Sequence, residues 1–140
     1  MAMRHGSETP LAWFSLAAIS VHFTLETWYH LTWGQPLQAL IVDYMSVGLM
    51  ILAGLTSLRV RPGSAAGLLA AAWAFNLGFG WRSAFGRLEL LEAGAARANN
   101  EAAFVLPIVA ASLGVVAITL VWALTLAFRQ AVHSNRAATR

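Results

Sequence analysis

The chain is organised as four long apolar stretches separated by short polar breaks. A stretch of about 20 such residues forms a helix that crosses the ~30 Å hydrocarbon layer of a bilayer. The first two breaks combine Gly with Pro, which is typical of tight loops. The pattern therefore predicts an all-α integral membrane four-helix bundle, with spans at about residues 11–33, 37–58, 64–86 and 103–128.

The two ends of the chain are short, and we assign residues 1–10 and 129–140 to the cytoplasm. Basic residues concentrate on the cytoplasmic side of a membrane protein. With the N-terminus inside, that side holds Arg4, Arg59, Arg61, Arg129, Arg136 and Arg140, and the other side holds Arg82, Arg87 and Arg97. We expect both termini inside a bacterial inner membrane. The first span is too long for the apolar core of a signal peptide, so we interpret it as retained.

Composition supports a lipid environment. Apolar residues make up 59% of the 140 residues and charged residues only 11%, too few to cover a water-soluble globule. The basic residues lie near the ends of the apolar stretches rather than in a patch with aromatics, which argues against nucleic acid as a partner. Cysteine is absent, so disulfides and thiolate metal sites are excluded.

Ionisable residues lie inside the predicted spans, where charge is costly and usually marks a site. His22, Glu26 and His30 follow at intervals of four and share one helical face. Glu26 lies roughly 6 Å beyond His22 toward the outer side. At that depth it is joined by Asp43 from the second span and Arg82 from the third. We predict that His22, Glu26 and Asp43 are the catalytic residues of a site inside the bundle.

Aromatic and polar residues border this face. Trp28 and Tyr29 lie beside Glu26, and on the third span Asn76 lies near mid-membrane between Trp73 and Trp81. Aromatic faces attract cations, so these residues suit a cationic or lipophilic ligand. The predicted ligand-binding residues are Trp28, Tyr29, His30, Trp73, Asn76, Trp81 and Arg82.

The segment from His22 to Tyr29, His-Phe-Thr-Leu-Glu-Thr-Trp-Tyr, resembles the His-x-x-x-Glu-x-Trp helix of the emopamil-binding, sterol-isomerase family of EXPERA-type membrane bundles. The residues that match are His22, Glu26 and Trp28. Asp43 lies on the next helix, where that family has a Glu. The resemblance implies an intramembrane pocket for a hydrophobic amine or sterol-like ligand, with proton transfer to and from an alkene. A carboxylic acid in a low-dielectric site can stay protonated and act as the proton donor.

Two other functions fit the same residues. In a proton-coupled carrier, Glu26 or Asp43 would exchange a proton during transport, and four helices would call for a homodimer. In an accessory subunit of a membrane complex, Glu26 and Arg82 would form an ion pair that fixes helix register. Both histidines of the predicted spans are on the first one, which disfavours haem ligation across the bundle. A metal held by His22, Glu26 and His30 would need a further ligand from Asp43 or a second subunit, because His22 and His30 are more than two turns apart. We therefore expect no metal and no cofactor.

Overall fold

The computed structural model describes residues 8–59, 65–94 and 96–138, and over these ranges the chain forms four α-helices. They are α1 (Thr9–Trp33), α2 (Leu37–Arg59), α3 (Ala66–Glu92) and α4 (Ala96–Ala138). The prediction of an all-α chain with four helices is confirmed. Residues 1–7 and 60–64 lie outside the described residues, and with them Arg4 and Arg61, as does Arg140.

Glycine makes the reversal between α1 and α2 possible. Gly34 has φ +72°, a left-handed conformation that side chains with a Cβ rarely adopt, and its N–H donates to the carbonyl of His30 over 3.1 Å. The carbonyl of Pro36 then accepts from the N–H groups of Ala39 and Leu40, which opens α2. Gly94 has φ +67° and ends the turn after α3. The predicted breaks at these positions are therefore true turns.

Two helices extend beyond the predicted spans. α3 runs on through Arg87 to Glu92, and α4 continues through residues 129–138 of the basic tail. Pro107 lies about three turns inside α4, where its missing N–H removes one helical hydrogen bond. The extension of α3 matters most, because it carries Arg87 alongside the predicted site.

The best-packed part of the bundle lies in the half where α1 begins. α1 packs mainly on α2, and α3 on α4, whereas α1 and α4 barely touch. Leu11, Met50 and Leu69 are fully buried there. The indole Nε1 of Trp73 donates to Ser15 Oγ over 2.9 Å, and this joins α1 to α3. The other half of the bundle is more open, and His22, Glu26 and Asp43 lie toward it.

Large apolar side chains cover the outside of the bundle. Leu31, Ile118 and Phe128 are each more than two-thirds exposed, and such surfaces mark contact with lipid or protein. α2 (Leu37–Arg59) and the Phe104–Arg136 part of α4 are long and apolar enough to cross a membrane. Membrane association therefore rests on two helices, and the crossing of α1 and α3 stays a prediction.

Candidate intramembrane site

His22, Glu26 and Asp43 come together between α1 and α2. Each offers a nitrogen or oxygen atom, and these atoms lie within 4.8 Å of one another. His22 Nδ1 is 3.9 Å from Glu26 Oε1, as expected for residues one turn apart on a helix. Asp43 is fully buried, and its carboxyl group interacts directly with that of Glu26. The structure thus brings the three predicted catalytic residues into one cluster.

The tight α1–α2 turn and the contacts below it determine which residue of α2 faces Glu26. The hydroxyl groups of Thr27 and Tyr44 are 3.2 Å apart, and the rings of Phe23 and Tyr44 lie 5.4 Å from each other. These contacts fix the register between the helices immediately beside Asp43. In the turn, the side-chain amide of Gln35 donates to Asp43 Oδ2. The turn therefore both positions the carboxyl group of Asp43 and orients it.

Several polar atoms of the cluster are buried without a hydrogen-bond partner among the described residues. They include His22 Nε2 and Asp43 Oδ1, and one turn away His30 Nδ1. Buried polar atoms in folded proteins are nearly always satisfied, so unpaired ones call for an explanation. Two carboxylates in contact also repel each other, unless a proton or a cation lies between them. A proton or a cation between the carboxyl groups would therefore stabilise the cluster.

Arg87 is the member of this site that the sequence pattern missed. Its guanidinium lies over the ring of Tyr29, 5.3 Å from the centroid, and donates to the carbonyl of Ser83 over 3.2 Å and to the Ser83 hydroxyl. It interacts electrostatically with both Glu26 and Asp43. The spacing of Asn76, Ser83 and Arg87, seven and then four residues, is the sequence signal that places Arg87 on the same face of α3 as Asn76.

Arg82 occupies a different position from the one expected. Its side chain is 75% exposed, and its guanidinium lies 3.7 Å from Glu89 Oε2 on the next turns of α3. The register-fixing pair between Glu26 and Arg82 that the sequence allowed is therefore not formed, because Arg82 pairs with Glu89 instead. The cation nearest the cluster among the described side chains is that of Arg87.

The remaining predicted residues divide into a buried group and a peripheral group. Asn76 Oδ1 accepts from the Ser46 hydroxyl over 2.7 Å, and Trp73 is only 3% exposed. Trp28 is 44% exposed and packs on Phe104 of α4, with ring centroids 6.1 Å apart. Trp81 is exposed and stacks on its neighbour Phe85, 4.6 Å away, so it suits an outer-surface position.

A cavity of about 350 Å³ lies between α1, α3 and α4 and ends at the cluster. Its wall is mostly apolar, with polar groups at one end. On the side where α1 and α4 barely touch, its rim is formed by Val21, Leu25, Ile108 and Val115, all of them exposed. The cavity therefore opens sideways, toward the surroundings of the bundle. Its polar lining residues are His22, Glu26, Tyr29, Trp73, Asn76, Ser83, Arg87 and Ser112.

A second, more polar cavity of about 640 Å³ lies at the α1–α2 turn. Gln35, Asp43 and Arg82 contribute to its wall. The two cavities share Glu26, Tyr29, Phe79, Ser83 and Arg87 as lining residues. His30 and Trp81 line neither of these two cavities. The shared residues form the partition between an apolar chamber and a polar chamber, and Glu26 can exchange protons or ions with both.

Comparison of the chain with models of known protein families, with curated proteins and with solved structures finds no match. The chemistry of the site is therefore argued from its own residues. A carboxyl pair with a neighbouring imidazole can donate, accept or relay a proton, bind an organic cation, or bind a metal ion.

Proposed function

We propose that this protein spans the bilayer four times, with both termini in the cytoplasm, and binds a small lipophilic cation in the cavity between α1, α3 and α4. The ligand enters sideways from the lipid, and its cationic group is held at Glu26. The observation that carries the proposal is the apolar, side-opening cavity that ends at Glu26, whose carboxyl group lies beside that of the buried Asp43. Polar residues in membrane helices generally mark such sites.

The charge of the site favours a cation. Glu26 and Asp43 together carry two negative charges when ionised, and Arg87 contributes one positive charge. One negative charge is then left unbalanced in a low-dielectric environment. A monovalent cation restores neutrality, and so does a proton shared by the two carboxyl groups. Ligand and proton therefore compete for the same acids.

The shape and lining of the cavity favour a compact lipophilic molecule. A volume of about 350 Å³ lies at the small end of the ~300–1,000 Å³ range of ligand pockets. Trp73, Trp28 and Phe79 contribute aromatic surface, and aromatic faces attract organic cations. The indole N–H of Trp73 is already donated to Ser15, which leaves its ring to contact the ligand.

The same arrangement supports isomerase-like acid–base chemistry on an alkene. Glu26 would add a proton to one alkene carbon, and the positive charge would develop on the other. His22 would remove a proton from the adjacent saturated carbon, so that the double bond moves by one position. The proton would then pass from His22 back to Glu26, whose Oε1 lies 3.9 Å from His22 Nδ1. Asp43, held by Gln35, would keep the site anionic enough to stabilise the positive charge.

Binding of tetraphenylphosphonium to the purified protein in nanodiscs tests the proposal, because tetraphenylborate is an anion of the same shape. We expect calorimetry to show saturable binding of the cation only. Glu26→Gln should weaken it at least tenfold, the loss of about 1.4 kcal/mol of charge attraction. Glu89→Gln is the matched control, since Glu89 is 70% exposed and pairs with Arg82. Equal binding of cation and anion, or unchanged binding by Glu26→Gln, would refute the proposal.

A proton-coupled carrier is the second candidate. It is favoured by the position of Glu26 on the walls of both cavities. Against it, the apolar cavity ends at Met50 and Trp73, and Leu11 and Leu69, one or two turns further along their helices, are fully buried. A carrier would have to open that core in each cycle. Tetraphenylphosphonium flux in proteoliposomes that responds to an imposed pH gradient would favour the carrier over a binding protein or isomerase.

A further inference from the structure

The cluster of His22, Glu26 and Asp43 has the composition of a metal site as well as that of a proton site. One imidazole nitrogen and two carboxylate groups converge within 4.8 Å from two helices. Two of these residues are one helical turn apart, the spacing by which helices commonly present a pair of ligands to one ion. We propose that the cluster binds a divalent transition-metal ion of the zinc type, with His22, Glu26 and Asp43 as its protein ligands.

The unsatisfied atoms of the cluster point to a cation independently of its composition. Asp43 is fully buried, yet with both carboxyl groups ionised its Oδ1 has no donor within reach among the described residues. His22 Nε2 is likewise buried without a partner in that part of the chain. A metal ion would satisfy Asp43 Oδ1, and its imidazole ligand would be His22 Nδ1, which lies 3.9 Å from Glu26 Oε1.

The surroundings of Asp43 resemble the supporting layer of a metal centre. Ligating carboxylates are usually oriented by a further hydrogen bond, and Gln35 donates such a bond to Asp43 Oδ2. This leaves Oδ1 as the free oxygen of that carboxylate. The helix spacing orients His22 and Glu26, and the α1–α2 turn orients Asp43. Only small side-chain movements are needed to shorten the separations toward the ~3.3 Å between neighbouring ligands of a tetrahedral zinc ion.

The donor set narrows the identity of the ion. Calcium and magnesium prefer six or more oxygen ligands, which this cluster does not supply. An imidazole with two carboxylates suits zinc, cobalt, manganese or ferrous iron. Three protein ligands leave a coordination position open, and the polar cavity beside Glu26 and Asp43 provides access from water. Zinc and its spectroscopic substitute cobalt are the natural probes.

Arg87 gives the proposal a distinctive signature. Its guanidinium interacts with both carboxyl groups and must weaken the binding of any cation there. Arg87→Gln removes this charge, and glutamine can still donate a hydrogen bond toward Ser83. Zinc should therefore bind more tightly to this variant than to the unsubstituted protein. A residue that only stabilises the fold would give the opposite change or none.

The test is the binding of Zn²⁺ or Co²⁺ alone to the full chain, purified in nanodiscs without a histidine tag. We expect one ion per chain, binding at least tenfold weaker in His22→Gln and Asp43→Asn, and severalfold tighter binding in Arg87→Gln. His133→Gln is the matched control, since His133 is exposed on α4. X-ray absorption of the zinc-loaded unsubstituted protein should show one imidazole per ion among oxygen ligands, and this measurement does not depend on how the variants fold.

The metal site would be overturned if the unsubstituted protein bound zinc no more tightly than the His22→Gln and Asp43→Asn variants. A spectrum with no imidazole per ion, or with two, would overturn it as well. The inference does not rest on the proposed ligand, and the two can fail separately. Tetraphenylphosphonium binding without zinc binding would leave the ligand pocket standing and remove the metal. Zinc binding without tetraphenylphosphonium binding would leave the metal site standing and remove the ligand pocket. Where both bind, each should displace the other, because both need the Glu26 carboxylate.

Discussion

The close approach of α1 and α2 at Gly54 offers the sharpest test of how the cluster is positioned. A Cβ added at Gly54 would lie 2.8 Å from Leu16 Cγ and 2.9 Å from its Cδ2. Carbon atoms in contact prefer about 3.5–4.0 Å, so either the Leu16 side chain would have to change its conformation or α1 would have to move away by roughly 1 Å. Gly54→Ala therefore perturbs the helix pair that carries Glu26 and Asp43, without altering either residue.

The expected change in the stability of Gly54→Ala follows from two opposing effects. Gly→Ala inside a helix is worth up to ~1 kcal/mol of stability from backbone entropy. Overpacking a close contact costs ~1–3 kcal/mol. Gly48, also on α2, has no atom within 4 Å of its added Cβ and therefore reports the first effect alone. We expect Gly54→Ala to be about 1–3 kcal/mol less stable than Gly48→Ala.

Unfolding of the two variants in the same detergent, followed by tryptophan fluorescence, measures this difference. Tetraphenylphosphonium binding measured alongside should weaken in Gly54→Ala and not in Gly48→Ala, because α1 and α2 together hold Glu26 against Asp43. Equal stability of the two variants would show that Leu16 and Gly54 are not in contact. The assigned packing of α1 on α2 would then be wrong.

Two further substitutions test other contacts. Trp73→Phe removes the donor to Ser15 Oγ, whereas Ser15 still donates to the carbonyl of Leu11. Unfolding in detergent should show that the free energy of unfolding falls by ~1 kcal/mol, a typical value for one hydrogen bond. An unchanged stability would mean that this bond does not form. Arg82→Gln should change the unfolding free energy by less than ~0.5 kcal/mol, because its pair with Glu89 is exposed. A large loss of stability would show that Arg82 makes a buried contact after all.

Much of the site could be predicted from the chain alone because it depends on helical spacing. Residues His22 and Glu26, four apart on a stretch that reads as one helix, must share a face. The Gly34 turn brings the start of α2 back beside the end of α1, so Asp43 had to lie near Glu26 in depth. The number and type of helices likewise followed from the lengths of the apolar stretches.

Only the tertiary structure decided which face of each helix packs against which neighbour. The rotation of a helix about its own axis is set by side-chain packing between helices, and the sequence of one helix does not show it. Arg82 and Arg87 lie little more than one turn apart on α3, yet one is exposed beside Glu89 and the other interacts with the carboxyl pair. The gap between α1 and α4, and hence the side-opening cavity, also depends on helix packing. Sequence determined the helices and the acids because those are local properties. The side-opening cavity, the polar cavity beside it and the position of Arg87 near the acids depend on distances between helices, which only the folded bundle sets.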